Sequence, residues 1–154
     1  MNLDQMEFRC PDAEVIGNVV VKDYRLAFRG NSRGNGVASI LPEQGKQVSG
    51  VLWSITEKCE KSLDYYEGYP YLYGKQDILV RCEDGKEVQA AVYIMNEPYQ
   101  SQPALPCQYY LRGILEGCRQ NGLPESDIQK AVHTTRKEIR KQNQRKSHPR
   151  EMGR

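Results

Sequence analysis

Histidine is scarce in this 154-residue chain: there are two, His133 and His148, both towards the C-terminal end. The five cysteines, Cys10, Cys59, Cys82, Cys107 and Cys118, are spread out with no C-x-x-C pair. Together these shortages exclude the usual zinc patterns and any dense disulfide framework, and they fit reduced thiols in a cytoplasm. Apolar runs are only a few residues long, which leaves no candidate for a membrane-spanning helix. The first residues, Met1-Asn2-Leu3-Asp4-Gln5, offer neither a basic n-region nor an apolar h-region, so a secretory signal is not expected. Aromatic content is 8%, with one tryptophan and two phenylalanines; tyrosine, with ten residues, supplies most of it.

Charged residues make up 27% and hydrophobic residues 38%, ordinary for a globular domain of this length. The total charge of +2 is unevenly distributed. Residues 134–154 hold eight Lys/Arg against two Glu, a local +6, which leaves −4 for the rest. That tail has no interleaved aromatic residue for stacking bases and no accompanying recognition motif, so nucleic acid is not an expected partner. Residues 1–140 are read as one domain and 141–154 as a basic, solvated tail.

Half of the tyrosines fall in Leu63-Asp64-Tyr65-Tyr66-Glu67-Gly68-Tyr69-Pro70-Tyr71-Leu72-Tyr73. Ile55, Cys59, Leu63 and Glu67 lie at successive i,i+4 spacings and share one face of a helix. Gly68 is the expected left-handed residue that ends it, and Pro70 forbids continuation. A carboxylate on an apolar stripe is costly, and in a last turn it opposes the helix dipole. Both effects raise its pKa, as a base that must later act as an acid requires. The spacing alone is equally compatible with Glu67 turned out to solvent or paired with a lysine.

Along the chain, Asp4–Arg9 reads as a short helix stopped by Cys10-Pro11. Glu14–Lys22 and Tyr24–Phe28 read as strand, the second either separate or a continuation. Gly30-Asn31-Ser32-Arg33-Gly34-Asn35-Gly36 is a loop. It has glycines but not G-x-x-x-x-G-K-[ST], and a strand rather than a helix follows, which argues against a phosphate cradle. Val37–Leu41 is a short strand stopped by Pro42, Gln44–Lys46 a turn and Val48–Ile55 a further strand. Ser54 with Glu57 fits a capping box. Tyr71–Cys82 and Glu87–Met95 are strands joined by the Asp84-Gly85 turn. After an irregular Asn96–Pro106, helices are expected over Cys107–Gln120, with Tyr110, Ile114 and Cys118 on one stripe, and from Pro124, with Ile128, Val132 and Ile139 in phase. This order predicts an α+β fold with an antiparallel or mixed sheet and flanking helices.

Taken in order, several fragments resemble the gamma-glutamylcyclotransferase-like (AIG2-like) family. They are Met1-Asn2-Leu3 with Arg9-Cys10-Pro11, Phe28-Arg29-Gly30-Asn31-Ser32 ahead of Gly36-Val37-Ala38-Ser39-Ile40, Gly50-Val51-Leu52-Trp53, Leu63-Asp64-x-x-Glu67-Gly68, Tyr73, Tyr93-Ile94-Met95, and Tyr110 before Asn121-Gly122-Leu123-Pro124. The resemblance runs from Met1 to about Pro124. It implies a small β-barrel-like sheet with flanking helices, Glu67 as catalytic acid/base, and Tyr73, Tyr93 and Tyr110 lining the substrate, with Met1 beside it. It further implies a small gamma-glutamyl substrate converted to 5-oxoproline, no cofactor, no metal, a cytoplasmic setting and a monomer or homodimer. A member of the same fold that binds a ligand without turning it over is the alternative.

Two departures stand out. In the family, the first strand ends in a Tyr-Gly-Ser-Asn loop whose backbone N–H groups hold the substrate, and the residue after that loop aligns with Met1. Loss of such donors costs on the order of 10²–10³ in rate each, and loss of the strand would leave sheet edges unpaired. Either Met1 is an internal methionine of a longer frame or the chain is a shortened relic. The other departure is Cys107, where the family has serine.

Overall fold

The computed structural model describes residues 2–30 and 35–147. Met1, the loop residues Asn31–Gly34, His148 and the rest of the tail, all named in the readings above, lie outside the described residues. Helix α1 (Leu3–Arg9) is followed by the strands β1 (Glu14–Gly30) and β2 (Gly36–Ser54), helix α2 (Glu57–Glu67), the hairpin β3 (Tyr73–Cys82) and β4 (Glu87–Met95), a 3₁₀ turn (Tyr99–Ser101), and helices α3 (Gln108–Asn121) and α4 (Glu125–Ser147).

The expected α+β class holds, and the sheet is antiparallel in every pairing, with order β2-β1-β3-β4. Its edge strands β2 and β4 come into contact, so the sheet curls towards the barrel-like shape the resemblance implies. Where the edges meet, side chains take the place of a ladder: the Met95 N–H donates to Ser39 Oγ at 3.1 Å.

Of the two readings left open for Tyr24–Phe28, continuation is the one the structure takes, and the two strands expected over Val37–Leu41 and Val48–Ile55 are in fact one long strand. β1 runs without a break through Asp23, and β2 runs through Pro42 and Gly45. The pairing jumps from Lys22↔Gln47 to Tyr24↔Pro42, so residues 43–46 bulge out of the ladder instead of ending it. Asp23 adopts φ 62°, and its Oδ1 accepts from the Gly45 N–H at 3.0 Å; Gly45 itself has φ 84°. This one irregularity has a packing consequence. Val19 and Val21 on one side of it, and Tyr24, Leu26 and Phe28 on the other, all reach apolar cores despite their opposite parity. Val19 and Val21 join Ile40, Ile78 and Val80 inside the curl. Phe28, with no exposed surface, joins Cys118, Ile128 and Ala131 under α3 and α4. Leu26 packs against both clusters.

Two boundaries also differ. The α2 cap is Thr56, whose hydroxyl accepts from the Cys59 N–H at 3.2 Å; Ser54 is still paired with Glu14 at the end of β2 and is not free to cap. β3 begins at Tyr73 because the Tyr71 and Leu72 N–H groups turn back onto the Gly68 carbonyl. The polar stretch from Lys141 continues α4 as far as Ser147, as expected of good helix formers such as Lys, Gln and Arg extending an anchored helix.

The irregular segment 96–106 is stitched to the sheet. Gly30 N–H donates to Gln102 O at 2.7 Å and Gly36 N–H to Leu105 O at 3.2 Å. A Cβ on Gly36 would stand 2.2 Å from Ala104 O and 2.4 Å from the Leu105 carbonyl carbon, both backbone atoms. Gly36→Ala is therefore expected to cost about 1–3 kcal/mol, the usual penalty of overpacking, read as a lowered midpoint in urea. An unchanged midpoint would show that the segment yields freely.

Candidate active site

The site follows from two periodicities meeting. On α2, Glu60, Asp64 and Glu67 lie at i, i+4 and i+7 and share a face. On the β3–β4 hairpin, Tyr73 and Lys75 point to one side of β3. Their cross-strand partners, Met95 and Tyr93, point the same way from β4. The other face of the hairpin supplies Ile78, Val80, Val92 and Ile94 to the core. The helix therefore lays three carboxylates over a lysine and two tyrosines.

Glu67 is the last residue of α2, and Gly68 closes the helix at φ 66°, ψ 33°, as its glycine suggests. The Gly68 and Tyr69 N–H groups fold back onto the carbonyls of Tyr65 and Asp64. Glu67 is half-buried. Burial pushes its carboxyl above the usual carboxylate range, and the charge of Arg9 offsets part of that push. Arg9 is brought there by α1. Asn2 donates from Nδ2 to Gly113 O at 2.9 Å and accepts at Oδ1 from the Gln5 N–H at 3.0 Å, while Ser62 of α2 donates to the Arg9 carbonyl at 2.8 Å. Among the described residues, no side chain or backbone group hydrogen-bonds or ion-pairs with the Glu67 carboxylate.

The three tyrosines are brought to one place but differ in what holds them. Tyr73, only 5% exposed, donates its hydroxyl proton to the Ala38 carbonyl at 2.7 Å. The Ala38 N–H in turn donates to the Tyr110 hydroxyl at 2.9 Å. A single residue on the edge of β2, through the peptide groups on either side of it, thus holds two of the three rings. Tyr93 donates to Asp64. Burial is the main reason all three phenols are pushed above their ordinary value, and Glu67 lies close enough for its charge to add to the effect on each. All three rings stay protonated at neutral pH.

Sequence reading treated Asp64 only as part of a pattern and did not single out Lys75, Glu60 or Arg9. Lys75 Nζ lies 2.9 Å from Glu60 Oε1 and 3.1 Å from both oxygens of Asp64. It also stands 4.3 Å from the Tyr69 ring centroid. Burial works against the Asp64 charge, but the bonds from Tyr93 and Lys75 more than offset it and hold the carboxyl below the usual range. The i,i+4 spacing of Glu60 and Asp64 was a usable signal for a shared partner. Cys107, in the place of the family's serine, is the exposed N-cap residue of α3 and makes no side-chain capping bond. No group of metal-ligating side chains clusters among the described residues, and no helix there is long and apolar enough to cross a membrane.

Comparison with known proteins agrees with the fold. The family described as gamma-glutamyl cyclotransferase, AIG2-like, matches residues 2–112. The human protein named gamma-glutamylcyclotransferase is 32% identical over 129 residues, which cover 79% of this chain and 66% of that protein. The mouse protein of the same name is 32% identical over 130 residues, 79% of this chain and 67% of its own length. A solved structure titled gamma-glutamyl cyclotransferase superposes with a TM-score of 0.71 at 29% identity, covering 83% of this chain and 78% of that one. The family match ends within α3, so α4 lies beyond it. The chain belongs to the gamma-glutamyl cyclotransferase, AIG2-like family.

Proposed function

We propose that this chain is a gamma-glutamyl cyclotransferase in its own right, acting in the cytoplasm on a small gamma-glutamyl amino acid or amine. The observation that carries this reading is Glu67: a half-buried carboxylate raised above its usual range, free of protein partners among the described residues, and faced by three protonated tyrosines.

The substrate holds its own nucleophile. Folding the gamma-glutamyl chain brings its α-amine onto its γ-carbonyl, which exploits the large effective molarity of intramolecular attack. The amine arrives as an ammonium, and Glu67 takes one proton from it. The new N–C bond closes a five-membered lactam. The C–N bond to the leaving amine then breaks as Glu67 returns the proton to that nitrogen. The products are 5-oxoproline and a free amine or amino acid; the second proton that the ring nitrogen sheds in becoming a lactam N–H passes to the departing amine, which leaves as an ammonium, so atoms and protons balance with no cofactor. Tyr93 and Tyr110 contact the substrate, and Tyr73 acts from behind, through Ala38.

The test is release of 5-oxoproline from a panel of gamma-glutamyl amino acids, gamma-glutamyl amines and glutathione. Turnover of at least one class is expected. Tight binding of these compounds without release would replace this reading with a ligand-binding member of the same fold.

A further inference from the structure

A tyrosine hydroxyl has one proton and two lone pairs. What it offers a ligand is therefore set by how its first partner uses it. Tyr93 spends its proton on the Asp64 carboxylate, which leaves only lone pairs to present. Tyr110 is the reverse: its oxygen accepts from the Ala38 N–H at 2.9 Å, and its own proton is left to give.

The Tyr93 arrangement is locked from behind. Lys75 is directly opposite Tyr93 in the β3–β4 ladder. Its ammonium, a pure donor, contacts both Asp64 oxygens at 3.1 Å and Glu60 at 2.9 Å, and rests on the Tyr69 ring. Held so, Asp64 has nothing to donate and can only accept from Tyr93.

We propose that Asp64, anchored by Lys75, is a positioning residue that fixes Tyr93 as a hydrogen-bond acceptor opposite a donating Tyr110, so that the site recognises the α-amino-acid end of its ligand by polarity, with ammonium at Tyr93 and a carboxylate or carbonyl oxygen at Tyr110. This rests on the reading of the site as one for gamma-glutamyl compounds. It adds a requirement for a free α-ammonium that is imposed at binding, before the chemistry that also needs the amine.

The experiment compares binding of L-glutamate and glutarate by calorimetry. The two share both carboxylates, only glutamate carries the ammonium, and neither has an amide to cleave. Wild-type protein is expected to prefer glutamate on the order of tenfold or more, the scale of a hydrogen bond to a charged group. Asp64→Asn is nearly isosteric, but Lys75 must face the amide oxygen, which turns the amide N–H₂ towards Tyr93. The polarity of Tyr93 then reverses, and the preference should collapse or invert while glutarate binds at least as well as before. Tyr93→Phe should abolish the preference too, and Asp64→Asn should add nothing further in that background, since its effect runs through the missing hydroxyl.

A wild-type protein without the preference, an Asp64→Asn protein that keeps it, or a further tenfold loss in the Tyr93→Phe background each overturns the proposal. If Asp64→Asn does not fold, Tyr93→Phe decides alone: a preference that survives loss of the hydroxyl overturns it, and one that disappears supports it. Release of 5-oxoproline is scored separately. No release with the preference intact sinks the catalytic reading and keeps this one, and release without the preference does the opposite.

Discussion

Glu67→Gln should lower kcat by about 10²–10⁴-fold, the usual worth of a positioned general acid–base, which is about 3–5 kcal/mol of barrier. Glutamine keeps the shape of the side chain and gives up only the proton transfer. Because the Glu67 carboxylate has no hydrogen-bond or ion-pair partner among the described residues, the substitution removes no protein contact there, and the fold should survive by circular dichroism. The pH dependence follows from the direction of the shift. The folded state holds the Glu67 proton more tightly than the unfolded chain does. Its contribution to stability is thus fully present below the unfolded-state carboxylate value and is lost as pH rises through the higher folded value. Wild-type stability should fall relative to Glu67→Gln across that window, leaving the variant no less stable at neutral pH. The acid limb of kcat/KM in the wild type should sit above the ordinary carboxylate range, since the base must be ionised in the free enzyme. Wild-type-like turnover in the glutamine variant would remove Glu67 from the mechanism.

The largest stability effect is expected at Arg29, near the end of β1. Its side chain is 4% exposed, and each of its three guanidinium nitrogens donates. Nε donates to Gln100 O at 2.8 Å, Nη1 to Phe28 O at 3.0 Å and to Glu138 Oε1 at 3.2 Å, and Nη2 to Glu138 Oε2 at 2.8 Å. One side chain therefore ties β1 to the 3₁₀ turn and to α4. Arg29→Met leaves two carbonyls short of a donor, and among the described residues Glu138 then keeps only Arg25, at 3.8 Å. Breaking a buried pair from one side costs about 3–5 kcal/mol, because a charge is left without compensation. The urea midpoint should drop accordingly, with kcat per folded molecule unchanged. Replacing Glu138 as well, by leucine, should recover a good part of the loss, since no unpaired charge then remains. A loss below about 1 kcal/mol in the single variant would show that water reaches the site and satisfies Glu138.

Sequence reading succeeded where the signal is local. The Asp84-Gly85 turn sets the β3–β4 register and Gly68 marks the end of α2; the family motif names Glu67 and three tyrosines, whose roles are the proposal made above. It failed where tertiary pairing decides. The break expected at Pro42 is only a bulge, because β1 pairs with both halves of β2 and Asp23 ties off the slack at Gly45. The Asp64–Lys75–Tyr93 contact joins two elements whose relative height no periodicity states. Each residue alone reads as an ordinary surface charge or strand tyrosine. Ser54 lost the cap to Thr56 because a strand partner claimed it first.

The Ala38 peptide has a consequence in the time domain. Its amide proton is guarded by the Tyr110 side chain and not by a neighbouring strand, so hydrogen exchange there should follow the excursions of one ring, independently of sheet opening. The amide is a resident clock on the site, expected to change its exchange rate when a ligand engages Tyr110 while the β1–β2 ladder amides keep theirs.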